Sequence, residues 1–513
     1  MALSKRTLIA GALTLTAANI VTRLIGFSYR IFMAGAIGAE GMGLYQLIMP
    51  IYSLAWAISC SGITTTLSRL VAAEQAKGQY GNMARLLRQS LFITVAISGL
   101  LTAVLFFFAE QIGSGIMNDG RIALSLRILS GALVFMAAGS CIRGYFLGLQ
   151  KAAIPASSQI LEQFARMTVI MMLAGAFIPR GLEYAAAAAM VGIVAGEALS
   201  FAFVYIAYKR HKRHLPKKPP IMTQKQALVA IMAVSAPLTL NRISSSFLSA
   251  VENVLIPQRL QLWGHTADEA MAVFGRITGM AMPLIFFPSA ILTALSISLV
   301  PSISEAVAMN QMGRVNSTIS KSIVFTSIIA FGAGLIFVVF PHEIGQIVYS
   351  QDLGQILLVL GLMCPFWYLN ITFNGVLNGL GEQVFIFRNS LLASVINIAF
   401  VYFLVPVYGA AAFMGGWFAG LIIITFFDVR RIKLVTGIAP QILRWFAKPA
   451  LAAAAAGLTT NFLHNRFFAG LGELFGVIFS LSLMMALYAV FVVALGTITI
   501  TDIRQMLDFK KQA

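Results

Sequence analysis

Charge is scarce in this 513-residue chain. Asp, Glu, Lys and Arg make up only 11% of it, against roughly 25% in soluble domains. A string of soluble domains is excluded, because so few polar residues cannot cover their surfaces. Cysteine is nearly absent. Cys60, Cys141 and Cys364 form an odd set without regular spacing, each inside an apolar run, which excludes a disulfide framework and a zinc site. The five histidines, His211, His214, His265, His342 and His464, are scattered over the connections between apolar runs, which argues against a buried His-rich metal centre. Acids are few, 18 against 36 basic residues, and no nucleophile–base constellation is visible. No catalytic residue, metal or cofactor is expected.

What is present is hydrophobic length. Residues of the AVILMFWYC set make up 59% of the chain. They gather into fourteen stretches, near 8–37, 43–71, 89–109, 122–148, 154–178, 185–208, 227–262, 270–304, 320–341, 353–379, 386–405, 409–429, 447–463 and 471–497. A helix of roughly 20 apolar residues crosses a bilayer, so the expected fold is an all-α integral membrane protein of about fourteen spans. Lys5 and Arg6 before an apolar stretch resemble a signal peptide, but the stretch passes Arg23 and runs to about Ile37. That is too long for a cleaved segment, and it reads as the first span. The seventh and eighth stretches are long, and Pro237, Pro283 and Pro288 supply kink points.

Orientation follows from basic residues collecting on the cytoplasmic side. With the N-terminus inside, the inner connections hold Lys77, Arg85, Arg88, Arg143, Lys151, Arg314, Lys321, Arg388 and the run from Arg430 to Lys448. The outer ones hold Glu110, Asp119, Glu183, Asp268, Glu269, Glu343, Asp352 and Glu473. The expectation is a multi-pass protein of the cytoplasmic membrane with both termini cytoplasmic. The most polar stretch, at 209–226 with Pro216, Pro219 and Pro220, reads as a cytoplasmic linker held near anionic headgroups.

The chain repeats across this linker. At an offset of 231, Gly144, Gly148 and Leu149 match Gly375, Gly379 and Leu380. At 224, Tyr184, Met190, Gly192 and Gly196 match Tyr408, Met414, Gly416 and Gly420, and between the first two of each set the alanines at 186–188 match those at 410–412. Two six-helix lobes at 1–208 and 227–433 are expected, parallel because an even number of spans separates them. Residues 434–513, with two extra spans and a tail, have no counterpart. Parallel repeats are an alternating-access arrangement, with substrate near the midplane. Glu162, Arg166 and Glu197 correspond to Ala393, Asn397 and Leu421, so the scaffold does not demand charge there.

A charge inside a span costs at least about 2.5–3.5 kcal/mol and needs a reason. Arg23 and Arg30 are seven residues apart, almost two turns, and leave the same helix face, with Gly26 giving room beside them. Asn241, Arg242, Ser244, Ser245, Ser249, Glu252 and Asn253 form a polar band in the seventh stretch, and Arg276 stands in the eighth. Arg69 and Arg259 lie near span ends and reach the interface. Arg166 is one turn from Glu162 and pairs with it. Arg23, Arg30 and Arg276 have no acid at helical spacing and read as cavity-lining. Guanidinium is a planar fork for phosphate oxygens. The carboxylates read as interior are Glu162, Glu197 and Glu252, of which Glu197 and Glu252 are candidates for ion or proton coupling. Gly26, Pro237 and Pro283 are the candidate hinges.

The segments TRLIGFSYRIFMAGAIGAEGMGLYQLIMPIYSL and SAPLTLNRISSSFLSAVENVLIPQRLQ resemble the stage V sporulation protein B family of polysaccharide-export proteins. That family lies in the multidrug/oligosaccharidyl-lipid/polysaccharide (MOP) flippase superfamily, with the MurJ-type lipid II flippases as relatives. The resemblance implies a MATE-like architecture of two six-helix lobes plus two helices. It also implies a substrate class, undecaprenyl-pyrophosphate-linked saccharide, with the peptidoglycan precursor of the spore cortex as the particular expectation. Arg23, Arg30 and Arg276 are similar to flippase arginines. The acid that often follows the last of these by three positions is Gly279 here, and no basic residue follows Pro50. Expected partners are the lipid-linked substrate, membrane lipids and a peptidoglycan polymerase, and not nucleic acid. Two other readings stay open: a cation-coupled multidrug exporter of the same superfamily, and a membrane-embedded glycan polymerase.

Overall fold

The computed structural model describes residues 5–216, 219–468 and 473–497. Linker residues 217–218 and the basic tail with Arg504, Lys510 and Lys511 lie outside the described residues. No β-strand occurs among those described.

The first two expected spans share one continuous helix, α1 (Lys5–Trp56), divided at Gly38 with φ 66° and ψ −172°. Only glycine adopts that backbone without strain, so the kink falls in the short gap between the two apolar stretches. A π-helical turn at Ala57–Ser61 leads into α2 (Gly62–Ala76). Then come α3 (Tyr80–Phe107), α4 (Ile122–Ser130), α5 (Ala132–Gly148), α6 (Ala153–Phe177) and α7 (Leu182–Arg213). Helix α8 (Gln224–Leu262) begins at a capping box, Thr223 exchanging hydrogen bonds with Gln226. Its entry is pinned by Asn82, whose Oδ1 accepts from the backbone N–H groups of Ile221 and Met222 at 2.9 Å.

The expected eighth span is broken. It consists of α9 (Ala267–Phe274), a π-helical turn at Gly275–Ala281, α10 (Met282–Phe286) and, after an interruption at Phe287–Pro288, α11 (Ser289–Ala308). Pro283 occupies the first turn of α10, where a missing N–H costs nothing. The chain continues through α12 (Met312–Val339), α13 (Pro341–Tyr349), α14 (Gly354–Gly379), α15 (Gln383–Ala399), α16 (Val405–Tyr408) and α17 (Ala410–Thr436). Helices α18 (Lys448–Leu463) and α19 (Glu473–Ala494) follow.

Thirteen stretches among the described residues are long and apolar enough to cross a membrane. The expected stretch at 447–463 is not among them, because α18 is only 16 residues long; the other differences are of division and cancel in number. Spans one and two are joined through α1, span eight is split in two, and the 16-residue α18 is lengthened by flanking π-helical turns at Leu443–Ala447 and His464–Phe468.

The chain divides into two compact units, Met1–Gly279 and Met280–Ala513. Within the first, α8 and α9 pack on α1 and α2, and the approach is close enough to require glycine. A Cβ on Gly275 would lie 1.9 Å from the Ala39 carbonyl, and one on Gly43 would lie 2.1 Å from the Met271 carbonyl. The repeat glycines do matching work. A Cβ on Gly144 or Gly148 would meet the carbonyls of Thr64 and Ser68 on α2 at 2.6 and 2.5 Å. In the second unit, Cβ atoms on Gly375 and Gly379 would strike Ser296 and Ile303 on α11. One helix of each half is therefore seated on another through the same glycine pair. The core of the first unit is built on Leu67, Leu87, Tyr145 and Phe146, and that of the second on Ile319, Phe373, Leu377 and Trp445.

Candidate functional site

Two polar faces in the first unit are open to solvent in spite of lying in apolar helices. On α1, Asn19 and Arg23 are exposed, Gly26 and Arg30 are half-buried, and a Cβ on Gly26 would meet nothing within 4 Å. Their spacing puts all four on one side of the helix. On α8, Asn241, Arg242, Ser245 and Ser249 are exposed, while Glu252 and Asn253 are half-buried. The small polar groups satisfy one another locally. Ser245 Oγ donates to the Asn241 carbonyl at 3.1 Å, and Asn253 Nδ2 donates to the Ser249 carbonyl at 2.7 Å. Acyl chains offer no hydrogen-bond partner, so placing such stripes against lipid would be costly.

Arg276 stands in the π-helical turn after α9. The wider turn alters the direction of side chains and frees backbone carbonyls, and Gln46 Nε2 donates to one of these, on Thr278, at 2.6 Å. Arg276 is half-buried, and its Nε is shielded from solvent with no hydrogen-bond partner among the described residues. A Cβ on Gly279 would press on Met42 and Gln46 at 3.1–3.4 Å, so an acid at this position would have to displace α1 side chains. The structure thus puts Arg23, Arg30, Arg242 and Arg276 on three helical segments of one compact unit, with Gly26 and Pro237 on two of them. Pro283 lies in the second unit.

Behind the α1 stripe is a buried ion network. Arg166 Nη2 reaches Glu162 Oε1 at 3.1 Å, the expected intrahelical pair. Arg143 also reaches Glu162, Nη1 to Oε2 at 3.9 Å, and donates to Ser200 Oγ at 3.0 Å and Ser140 Oγ at 2.9 Å. Arg143 is therefore an interior residue rather than a loop charge. It is five residues short of the end of α5, which is why topology alone counted it outside. Glu197, 4% exposed, accepts from the Tyr52 hydroxyl through Oε1 at 2.7 Å, while its Oε2 is buried without a partner among the described residues.

Elsewhere in this unit Arg121 gathers three carboxylates: Glu40 at 2.6 Å, Asp119 at 2.7 Å and Asp268 at 3.2 Å. The hydrogen bonds that it donates to Asp119 and Glu40 push its pKa further up. The clamp ties the α1 kink to the α3–α4 connection and to the first turn of α9.

The second unit holds an acid that the sequence reading missed. Asp428 on α17 is 2% exposed. It accepts from Asn389 Nδ2 at 2.7 Å and Asn370 Nδ2 at 3.2 Å. It stands two residues before the basic run that starts at Arg430, and is not among the carboxylates read as interior. Among the described residues no group of three or more His, Cys, Asp and Glu side chains is placed to hold a metal ion, and all three cysteines are buried and free.

A chain of thirteen long apolar stretches among the described residues, with a glycine-seated helix pair in each half, defines a multi-pass membrane protein. The fold matches the solved structure of lipid II flippase MurJ in an inward-closed conformation with a TM-score of 0.68 at 14% identity, covering 93% of this chain and 98% of that one. That likeness is one of fold. The chain belongs to the polysaccharide biosynthesis protein family, whose model matches residues 8–307. A second model, MatE, matches residues 260–403. The chain is 30% identical over 449 residues to stage V sporulation protein B of Bacillus subtilis (strain 168), covering 86% of each. It is 23% identical over 363 residues to lipid II flippase MurJ of the same organism, covering 66% of this chain and 63% of that one.

Proposed function

We propose that this protein is an alternating-access flippase for an undecaprenyl-pyrophosphate-linked saccharide of the lipid II type, in the cytoplasmic membrane, with both termini cytoplasmic. The observation that carries the reading is the unpaired Nε of Arg276 in the same unit as the polar Arg23 and Arg30 stripe. Buried donors without acceptors are costly, and a pyrophosphate brings many acceptor oxygens. In this reading the pyrophosphate docks on Arg23, Arg30 and Arg276 with Arg242 nearby, while the polyprenyl tail stays in lipid. The repeat halves 1–208 and 227–433 act as the two lobes, joined by the linker at 209–226 and followed by the addition at 434–513. Gly26, Pro237 and Pro283 serve as hinge points, and Glu197 and Glu252 couple transport to an ion or proton. The names of the relatives support peptidoglycan precursor, and a sporulation role, as the setting; a peptidoglycan polymerase is the partner that would use the product.

The test is translocation of labelled lipid II by the full chain in proteoliposomes. Arg30→Ala and Arg276→Ala should each slow it at least tenfold while the protein stays folded; rates equal to the parent would overturn the site assignment. A second reading, a cation-coupled drug exporter, draws support from the MatE match and from the free carboxylate oxygen of Glu197. It requires drug efflux that Glu197→Gln abolishes.

A further inference from the structure

The hydrogen bond from Gln46 to the Thr278 carbonyl has no role in the reading above. It joins residues 232 positions apart, one on α1 and one in the π-helical turn that carries Arg276. On α1 the neighbouring Leu44, Leu47 and Ile48 are fully buried apolar side chains. An amide in such company is costly unless it is hydrogen-bonded, and the Thr278 carbonyl is what Gln46 finds.

The carbonyl in turn needs a donor. A π-helical turn closes its hydrogen bonds from the N–H five residues on. For Thr278 that residue is Pro283, whose nitrogen carries no hydrogen. Gln46 Nε2 supplies a donor at 2.6 Å. The orientation of its amide is fixed by chemistry, because the Gln46 Oε1 and the carbonyl can only accept.

The rest of the turn is held by shape and by its own chain. Gly275 and Gly279 fit against α1 with no room for a Cβ. The Thr278 hydroxyl donates back to the Phe274 carbonyl at 2.7 Å. Among the described residues, no side chain outside the turn other than Gln46 donates to it. Of the seven residues in Gly275–Ala281, Arg276 is the one that is not buried. Apolar contact is non-directional, whereas a hydrogen bond fixes an orientation. A π-helical turn holds an extra residue, equivalent to about 100° of helix rotation, so its shape decides where Arg276 points.

We propose that Gln46 is a positioning residue for Arg276. By supplying the donor that Pro283 withholds, it fixes the π-helical turn so that the guanidinium meets the anionic headgroup of the lipid-linked substrate. The inference rests on the reading of Arg276 as a pyrophosphate ligand, and Gln46 itself touches no substrate.

The test is equilibrium binding of lipid II, and of a neutral lipid-linked sugar of the same tail, to the full chain in detergent. Four proteins are compared: the parent, Gln46→Met, Arg276→Ala and the double variant. Methionine keeps the length of the side chain and removes the donor. Gln46→Met should weaken lipid II binding about three- to tenfold and leave the neutral lipid unaffected. Once Arg276 is alanine it should cost nothing further, which a general loosening of the helices would not reproduce. If Arg276→Ala binds lipid II like the parent, the reading of Arg276 falls and this inference falls with it. If Arg276→Ala is weakened but Gln46→Met is not, or if the two losses add in the double variant, the role of Gln46 is overturned while the site reading stands. Should Gln46→Met not fold, Gln46→Asn, one methylene too short for the contact, replaces it with the same expected result and the same contradictions.

Discussion

Glu162 stands between two arginines, and the polar interior of the first unit turns on it. Its two oxygens face Arg166 and Arg143, so the three side chains act together. Removing one partner from a buried ion group costs about 3–5 kcal/mol. Glu162→Gln should destabilise the protein toward the lower end of that range, since all three side chains keep slight exposure; chemical denaturation in micelles would measure it. Tyr52→Phe deletes the one side-chain hydrogen bond that Glu197 receives among the described residues, and should cost about 1.5–3 kcal/mol in the same assay. The sequence made only part of this network visible. Arg166 and Glu162 share a helix at a spacing of four, so their pairing could be read directly. Tyr52 and Glu197 are 145 positions apart, and a tyrosine carries no charge to draw notice. Arg143 and Asp428 were hidden for a different reason, because each lies close to the end of an expected apolar stretch, where a charge normally reaches water.

The contrast between two glycines decides how α1 works as an element. Gly275 is where α9 touches α1, and a methyl group there collides with the Ala39 carbonyl at 1.9 Å. Gly275→Ala should force the helices apart and cost at least about 1–3 kcal/mol, the usual penalty of overpacking. Gly26, by contrast, faces open space. Gly26→Ala should leave stability unchanged or raise it by up to about 1 kcal/mol through helix propensity. The bulkier Gly26→Leu should keep the fold but slow transport by filling the space beside Arg23 and Arg30. Equal stabilities of Gly275→Ala and Gly26→Ala in a melting experiment would contradict this account of α1. Hydrophobic length was enough to find the spans, and the gap between the first two contains Gly38. The break in the eighth stretch was harder to locate. Pro283 and Pro288 look alike in sequence, yet the first fits a helical first turn and the chain is interrupted at Phe287–Pro288.

At the scale of the whole molecule, the repeat and the charge distribution carry the functional argument. The paired glycines Gly144 and Gly148, and Gly375 and Gly379, seat corresponding helices in each unit, whereas the buried charges differ between the halves. Function therefore follows the differences, and the sharpest of these is the set of arginines in the first unit. The most direct test is equilibrium binding of lipid II, against a neutral lipid-linked sugar of the same tail, to the parent and to Arg30→Ala. Charge-assisted hydrogen bonds contribute about 1.5–3 kcal/mol each, so loss of Arg30 should weaken lipid II binding roughly 10–100-fold. Binding of the neutral lipid should be weak in both proteins and unchanged by the substitution. Equal affinity of the parent for the two lipids, or lipid II binding indifferent to Arg30, would contradict an anionic-headgroup site on this face.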